Sequence, residues 1–440
     1  MKRVPLDPHI DPYALFAASR DEYPHAFILE SLTGPARLAE HTYVGFDPAV
    51  IISYRAGVLR SNGETIKTDR PIAALRSILS AYAAPGVPGR YIGGLVGYVS
   101  YEFVHNLDSV PAHADSPFPE FEFGLYLDGV IVDHVRKRAE YFAHGDSRVE
   151  DLPKSTETAP QLRTDGPKPQ TPPEWFMDSV VKAKETIAEG EAFQVVLSRR
   201  DCGRMSGDPL ALYGALRSLS PSPYMYYLDF GVRRVIGASP EMLLRVEDRT
   251  ATTFPIAGTR PLGTTLSQMD RFKAELLADP KERAEHNMLV DLARNDLGKV
   301  CRFGTIRLPQ YMAVERYSHV QHLVSIVEGE LAPGKDGLDA FAAMFPAGTV
   351  SGAPKPRAME ILHRLEGTAR GPYAGVVGYL SLNGNLDTAI AIRTLFADGP
   401  TYYLQAGAGI VADSDPAREW METEHKLEAL RASLREAAAA

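Results

Sequence analysis

Four glutamates in this chain fall into two pairs of equal spacing. Glu282 and Glu285 follow Asp279-Pro280, and Glu419 and Glu422 follow Asp415-Pro416. Asp then Pro is a helix start: an N-cap, then a first helical residue whose missing N–H is not needed. Helical periodicity then runs through Met288, Leu289 and Leu292 to Gly298, and through Trp420, Leu427 and Leu430. A spacing of three puts each pair on one helical face. Acidic first turns also suit the positive end of the helix dipole, so either pair alone is equally an ordinary helix start. Both pairs brought together make a hard-oxygen site suited to Mg²⁺ rather than to a softer metal. Such a site carries more negative charge than one divalent ion neutralises, so some contacts run through water or wait for a substrate.

Other segments offer weaker signals. In FPAGTVSGAPKPRAME, Gly348, Gly352 and Pro354 dictate a tight turn into a helix. Ser351 could cap that helix, and backbone N–H groups there could hold an anion. Lys355 is not at a P-loop position. Gly407 and Gly409 alternate with alanine in a strand-like stretch, which suits either a flat ligand or tight sheet packing. Arg393 stands among apolar neighbours in DTAIAIRTLF. It needs an acidic partner, which a carboxylate substrate could supply, or it snorkels at a strand end. His322 is either a satisfied core histidine or a general acid or base.

The elements that must position these residues span 440 residues with 45% apolar and 23% charged content, an ordinary globular balance. A net charge of −9 argues against a nucleic-acid partner but not against a small anion held by a few placed cations. Cys202 and Cys301 suggest neither a disulfide framework nor a zinc site, and the absence of an apolar leader or membrane-length run points to a reduced, cytoplasmic setting. Composition divides the chain into an N-terminal region (1–143) with strand-like stretches at 26–30, 91–101 and 123–135, a polar, proline-rich linker or loop (144–173), and a C-terminal domain (174–440) of mixed helices and strands. GLVGYVS (94–100) is echoed by GVVGYLS (375–381), either as two buried strands in close approach or as a duplicated element.

Long strings in one order carry a resemblance. FQVVLS (193–198), SPSPYMYYLD (220–229), ASPE (238–241), PIAGTRP (255–261) and DPKERAEHNMLVDLARNDLG (279–298) are followed by VERYSHVQHLVS (314–325) and PAGTVSGAPKPRAMEIL (346–362). GPYAGVVGYL (371–380), LDTAIAIRT (386–394) and QAGAGIVADS (405–414) complete the series. In these the chain resembles the chorismate-utilising enzymes, and among them the anthranilate synthase component I family. The resemblance implies an α+β fold of mixed antiparallel sheets flanked by helices, with an active-site cleft between them. It implies a Mg²⁺-dependent carbon–oxygen lyase that converts chorismate and ammonia to anthranilate and pyruvate for tryptophan synthesis.

Site residues follow from the same matches. Glu282, Glu285, Glu419 and Glu422 match the metal positions, His322 the histidine near the reacting ring, and Glu241 the acid for the departing hydroxyl. Tyr373 and Arg393 match the residues for the pyruvyl carboxylate; Thr349, Gly407, Gly409 and Lys426 match other substrate-holding positions. Relatives that add water resemble one another in a lysine at the position of Gln194, and relatives that make aminodeoxychorismate in a lysine at the position of Ala257. Gln194 disfavours the addition of water and Ala257 the rival aminodeoxychorismate synthase subunit, while the intact Glu282, His322, Glu419 and Lys426 speak against a non-catalytic ligand-binding member. Neither cysteine resembles a glutaminase nucleophile, so a separate glutamine amidotransferase subunit is expected to feed ammonia in a hetero-oligomer. Glu30 and Ser31 of ILES (28–31), with Pro223, Tyr224 and Met225, match a tryptophan feedback site.

Overall fold

The computed structural model describes residues 1–33, 40–111, 113–154, 160–316 and 320–439. Among them, a 13-stranded and a 12-stranded sheet, antiparallel in every pairing, lie face to face. The strand His25–Glu30 shows how the pattern builds the layers. Its side chains alternate, as a pleated strand requires. Phe27 points into the core between the sheets, while Ala26 and Ile28 point outward under the helices Pro12–Glu22, Leu210–Leu219 and Pro416–Ala439. A third cluster packs the helices Pro173–Ala188 and Lys355–Glu366 on the strands Gln194–Gly207 and Thr401–Ile410.

Both sheets mix strands from before 143 and after 174. In the larger sheet His25–Glu30 pairs with Tyr224–Phe230; in the smaller one Gly94–Val99 pairs with Val376–Ser381. The division near 144–173 is therefore one of composition, and the strands on either side share hydrogen-bonded sheets. The polar segment itself adds short strands at Leu162–Thr164 and Lys168–Pro169 to the strand Gln194–Gly207. Its proline and charge content hid Leu162, which is buried. The stretch expected as one strand at 123–135 is two, Phe121–Tyr126 and Asp128–Asp133, in different sheets.

The echoed segments are direct neighbours, with Gly97 opposite Gly378. A Cβ on Gly97 would lie 2.0 Å from the Glu122 carbonyl oxygen, and one on Gly378 would lie 2.1 Å from that of Asp387. Only glycine admits this approach. The close-approach reading of the echo thus has a physical basis, independent of any duplication.

Both expected helices form where their caps begin. Pro280–Gly298 starts after Asp279, whose carboxylate accepts from the Lys281 and Glu282 amides. Pro416–Ala439 starts after Asp415, which accepts from the Arg418 amide. Ser351 does not cap the helix Lys355–Glu366; its hydroxyl donates back to the Ala347 carbonyl at 2.8 Å inside the preceding turn, and Pro354 takes the N-cap position.

Candidate functional site

The first turns of the helices Pro280–Gly298 and Pro416–Ala439 open into one cavity of about 840 Å³. Glu282, Glu285, Glu419 and Glu422 all line it. Glu282 pairs with Arg260 at 3.0 Å, and Glu422 with Lys426 at 2.6 Å. Glu285 accepts from the Gln194 amide at 3.3 Å. Burial raises the Glu285 and Glu419 carboxyls above the usual range; the nearby Glu282 and Glu422 charges add to this, while hydrogen bonds from Gln194 and Ser414 oppose it. Among the described residues no three carboxylates, imidazoles or thiolates stand close enough together to hold an ion. The donor set nevertheless fits Mg²⁺, which keeps several waters and takes one or two carboxylates plus an anionic substrate rather than a closed protein cage. The negative charge that raises Glu285 and Glu419 is charge such an ion would offset.

A buried cation lines the same cavity. Arg393 lines the cavity beside Tyr373. Burial lowers its pKa, and among the described residues no carboxylate pairs with it. Its backbone φ of 52° lies in the left-handed region, uncommon for a non-glycine residue and typical of functional positions. A buried, unneutralised guanidinium is costly unless an anion arrives. Tyr373 keeps its proton, because burial raises its pKa.

Glu241 lines the cavity beside Thr349. Burial pushes its carboxyl up to about 7, against the opposing effects of the Thr349 hydrogen bond and the Lys426 charge. Thr349 Oγ1 donates to Glu241 Oε1 at 2.9 Å. A carboxyl so placed holds a proton near neutral pH and can give it up, which is what a general acid needs. His322 is the complement. Burial lowers its pKa, so it is neutral at pH 7. Its Nδ1 lies 2.9 Å from the Gly258 carbonyl oxygen, which only accepts, so Nδ1 carries the hydrogen and Nε2 is left basic.

Gly407 and Gly409 line the cavity, and a larger residue at either would crowd its neighbours. A Cβ at Gly409 would meet Gln194 Nε2 at 2.5 Å, and one at Gly407 would meet the Tyr373 hydroxyl at 3.0 Å. Lys426 donates to the Gly407 carbonyl at 2.8 Å. Ala257, on a strand that shifts register at Gly258, also faces the cavity. Every residue expected to serve catalysis, substrate or metal therefore borders one space. Sequence reasoning missed Lys281, His425 and Gln405, which border it too. Lys281 was adjacent to a named glutamate, but the helical pattern gave no reason to aim it inward.

A family model described as chorismate binding enzyme matches residues 24–432. The chain belongs to this family. A member from Methanothermobacter thermautotrophicus, called anthranilate synthase component 1, is 46% identical over 432 residues, covering 96% of this chain and 92% of that protein. A protein of the same name from Saccharolobus solfataricus is 40% identical and covers 99% of both chains. The crystal structure of anthranilate synthase component I from Streptococcus pneumoniae superposes with a TM-score of 0.79 at 34% identity, covering 89% of this chain and 92% of that one. The menaquinone-specific isochorismate synthase of Escherichia coli shares the fold, with a TM-score of 0.77 at 22% identity over 98% of this chain and 94% of that one. The mixed antiparallel sheets flanked by helices are thus the chorismate-utilising fold.

This family member also has a second, smaller cavity of about 50 Å³ between the two sheets. Glu30, Ser31, Tyr224 and Met225 line it, as does a buried pair of Arg245 and Asp387 at 2.7 Å. Two expected residues sit differently. Pro223 borders the large cavity; its carbonyl accepts from the Ser31 hydroxyl at 2.7 Å. The Glu30 carboxylate turns away, to the Tyr213 hydroxyl at 2.8 Å and the Arg217 guanidinium at 2.9 Å. Strand alternation explains this, since Glu30 shares the outward face of Ile28.

Glu241 offers a direct test. A carboxyl whose pKa is raised from 4.5 to about 7 on folding contributes stability that is fully present below pH 4.5 and lost as pH rises through 7. Glu241→Gln removes this loss. The variant should gain on the wild type by roughly 3 kcal/mol between the acid and alkaline limits, read from urea unfolding at a series of pH values. A difference that does not change with pH would show that Glu241 ionises normally.

Proposed function

We propose that the chain is the chorismate-converting subunit of an anthranilate synthase, catalysing chorismate + NH₃ → anthranilate + pyruvate + H₂O for tryptophan synthesis. The observation that carries this reading is one cavity that brings Glu282, Glu285, Glu419 and Glu422 together with Arg393, Tyr373 and Glu241, with Gln194 and Ala257 at the two positions where lysines would select other products, in a chain 40–46% identical to proteins called anthranilate synthase component 1. Arg393 and Tyr373 hold the pyruvyl carboxylate, the guanidinium by charge and the phenol by a hydrogen bond. One or two of Glu282, Glu285, Glu419 and Glu422 directly, and the others through water, would hold Mg²⁺, whose charge would draw the ring carboxylate and polarise the ring. Glu241 gives its proton to the departing C4 hydroxyl while ammonia adds at C2. Neutral His322 then accepts the C2 proton through Nε2 as enolpyruvate leaves. Holding both ends of the substrate supplies orientation before chemistry begins. Ala257 leaves C2 open, and Gln194 cannot serve as the base that would activate water.

Ammonia is delivered by a separate glutamine amidotransferase. The name component 1 in relatives implies a second component, and neither Cys202, raised by burial, nor buried Cys301 is poised as a thiolate nucleophile. No helix among the described residues is long and apolar enough to cross a membrane. The small cavity is the tryptophan feedback site, with Ser31 and the Tyr224–Met225 backbone as its walls.

The chain alone, given chorismate, Mg²⁺ and ammonium at alkaline pH, should release fluorescent anthranilate and stop when magnesium is chelated. Aminodeoxychorismate as the product, identified by mass spectrometry, would move the chain to the rival branch. Glu422→Gln should lower turnover at least about a hundredfold while the unfolding midpoint holds; equal loss of activity and folding would make the residue structural. Ser31→Phe should fill the small cavity and relieve inhibition by tryptophan with turnover kept. Unchanged inhibition would remove that cavity from the regulatory reading.

A further inference from the structure

Arg370 is 1% exposed and does not line the large cavity, yet it ties together several parts of that cavity's wall. Its Nε and Nη2 donate to the two oxygens of Glu366 at 2.7 and 2.6 Å. Nη1 donates to the Val350 carbonyl at 2.7 Å, and Nη2 also reaches the Val196 carbonyl at 2.7 Å. The guanidinium carbon lies 5.8 Å from the centre of the Tyr373 ring and 4.6 Å from that of Tyr101. Glu366 in turn accepts from the Ser198 amide and hydroxyl at 2.8 and 2.7 Å, and Ser198 Oγ accepts from Gln405 at 2.8 Å. The main chain is held as well: the Arg370 and Gly371 amides donate to Glu102 at 2.6 and 2.9 Å.

Val196, Val350, Tyr373 and Gln405 all line the cavity. They come from the strand Gln194–Gly207, the turn Gly348–Ser351, the loop after the helix Lys355–Glu366, and the strand Thr401–Ile410. One planar cation touches the first three of these segments, and Glu366 and Ser198 carry the link on to Gln405. Val350 follows Thr349, which holds Glu241. Tyr373 stands three residues beyond Arg370. The same guanidinium therefore sets both the acid side and the carboxylate-holding side of the site. Arginine suits the task because its rigid fork can serve a carboxylate and two carbonyls at once, which a point-charge ammonium cannot.

We propose that Arg370, charge-balanced by Glu366, is a positioning residue of the chorismate site: it fixes the separation between Tyr373 and the Thr349–Glu241 pair without touching substrate. This rests on the chorismate reading above. A merely structural ion pair would affect stability and leave substrate affinity alone.

Arg370→Lys separates the two. The lysine keeps the charge opposite Glu366 and loses the bridge between the Val350 and Val196 carbonyls. In the Mg²⁺- and ammonium-supplied enzyme, the KM for chorismate should rise about tenfold, equivalent to roughly 1.4 kcal/mol, with the KM for ammonium unchanged. Leu362→Ala, a buried change on the neighbouring helix, supplies the comparison: it should lower the unfolding midpoint and leave the chorismate KM alone. An Arg370→Lys enzyme with lowered stability and wild-type KM for chorismate overturns the proposal. Should that variant not fold, Glu366→Gln carries the same test, because it removes the balancing charge and one bond to the guanidinium; an unchanged chorismate KM again overturns the proposal. Wild-type protein that forms no anthranilate refutes the functional reading itself, a result distinct from active wild type with variants that match it.

Discussion

The organisation of this molecule turns on charged groups gathered into the wall of one large cavity, where burial shifts several of them. In the wall of the large cavity, burial and the neighbouring Glu282 and Glu422 charges raise Glu285 and Glu419, while Arg393 has a guanidinium with lowered pKa and no carboxylate partner among the described residues. Left alone, these groups would relax toward each other or toward water. They are kept apart because they sit on a rigid frame: two antiparallel sheets with a shared core, and two helices whose first turns are pinned by Asp279 and Asp415. A ligand with anionic groups would relieve the cost at Arg393, and a cation would relieve it at the glutamates.

Around this frame, charge is neutralised wherever it serves structure. Arg370 meets Glu366, Lys355 meets Asp296 at 2.7 Å, and Arg245 meets Asp387. The contrast is informative. Arg370, Lys355 and Arg245 hold segments together through their partners, whereas Arg393 has no carboxylate partner among the described residues. Glu241 differs from both, since burial lifts its carboxyl to about 7 against the opposing Thr349 hydrogen bond and Lys426 charge.

The two cavities are physically continuous through one stretch of chain. Residues 219–223 border the large cavity and 224–226 the small one, and the strand Tyr224–Phe230 pairs with the strand that ends at Ser239, two residues before Glu241. The Glu241 carbonyl accepts from the Ile390 amide, on the strand that also carries Asp387 into the small cavity. A ligand in the small cavity would thus press on the same strands that aim the acid, which gives the feedback reading a mechanical route.

Much of this was legible from residue types. Asp-Pro starts placed both helices, the spacing of three aligned each glutamate pair, and the long matched strings named the site residues that the cavity brings together. Local pattern suffices there because capping and helical periodicity are set by residues only a few positions apart. What local pattern could not reach were contacts across the fold. The interleaving of both chain halves in each sheet, the split of 123–135 into two strands, the buried Leu162 within a polar segment, the outward turn of Glu30 and the place of Pro223 all depend on which strand lies beside which. So does Arg370, which its sequence neighbours do not mark out but which gathers carbonyls from positions 196 and 350. The chain's own order determined the helices, their acidic faces and the family chemistry. Only tertiary structure decided which charges meet and which stay apart, because that depends on distances between residues hundreds of positions apart.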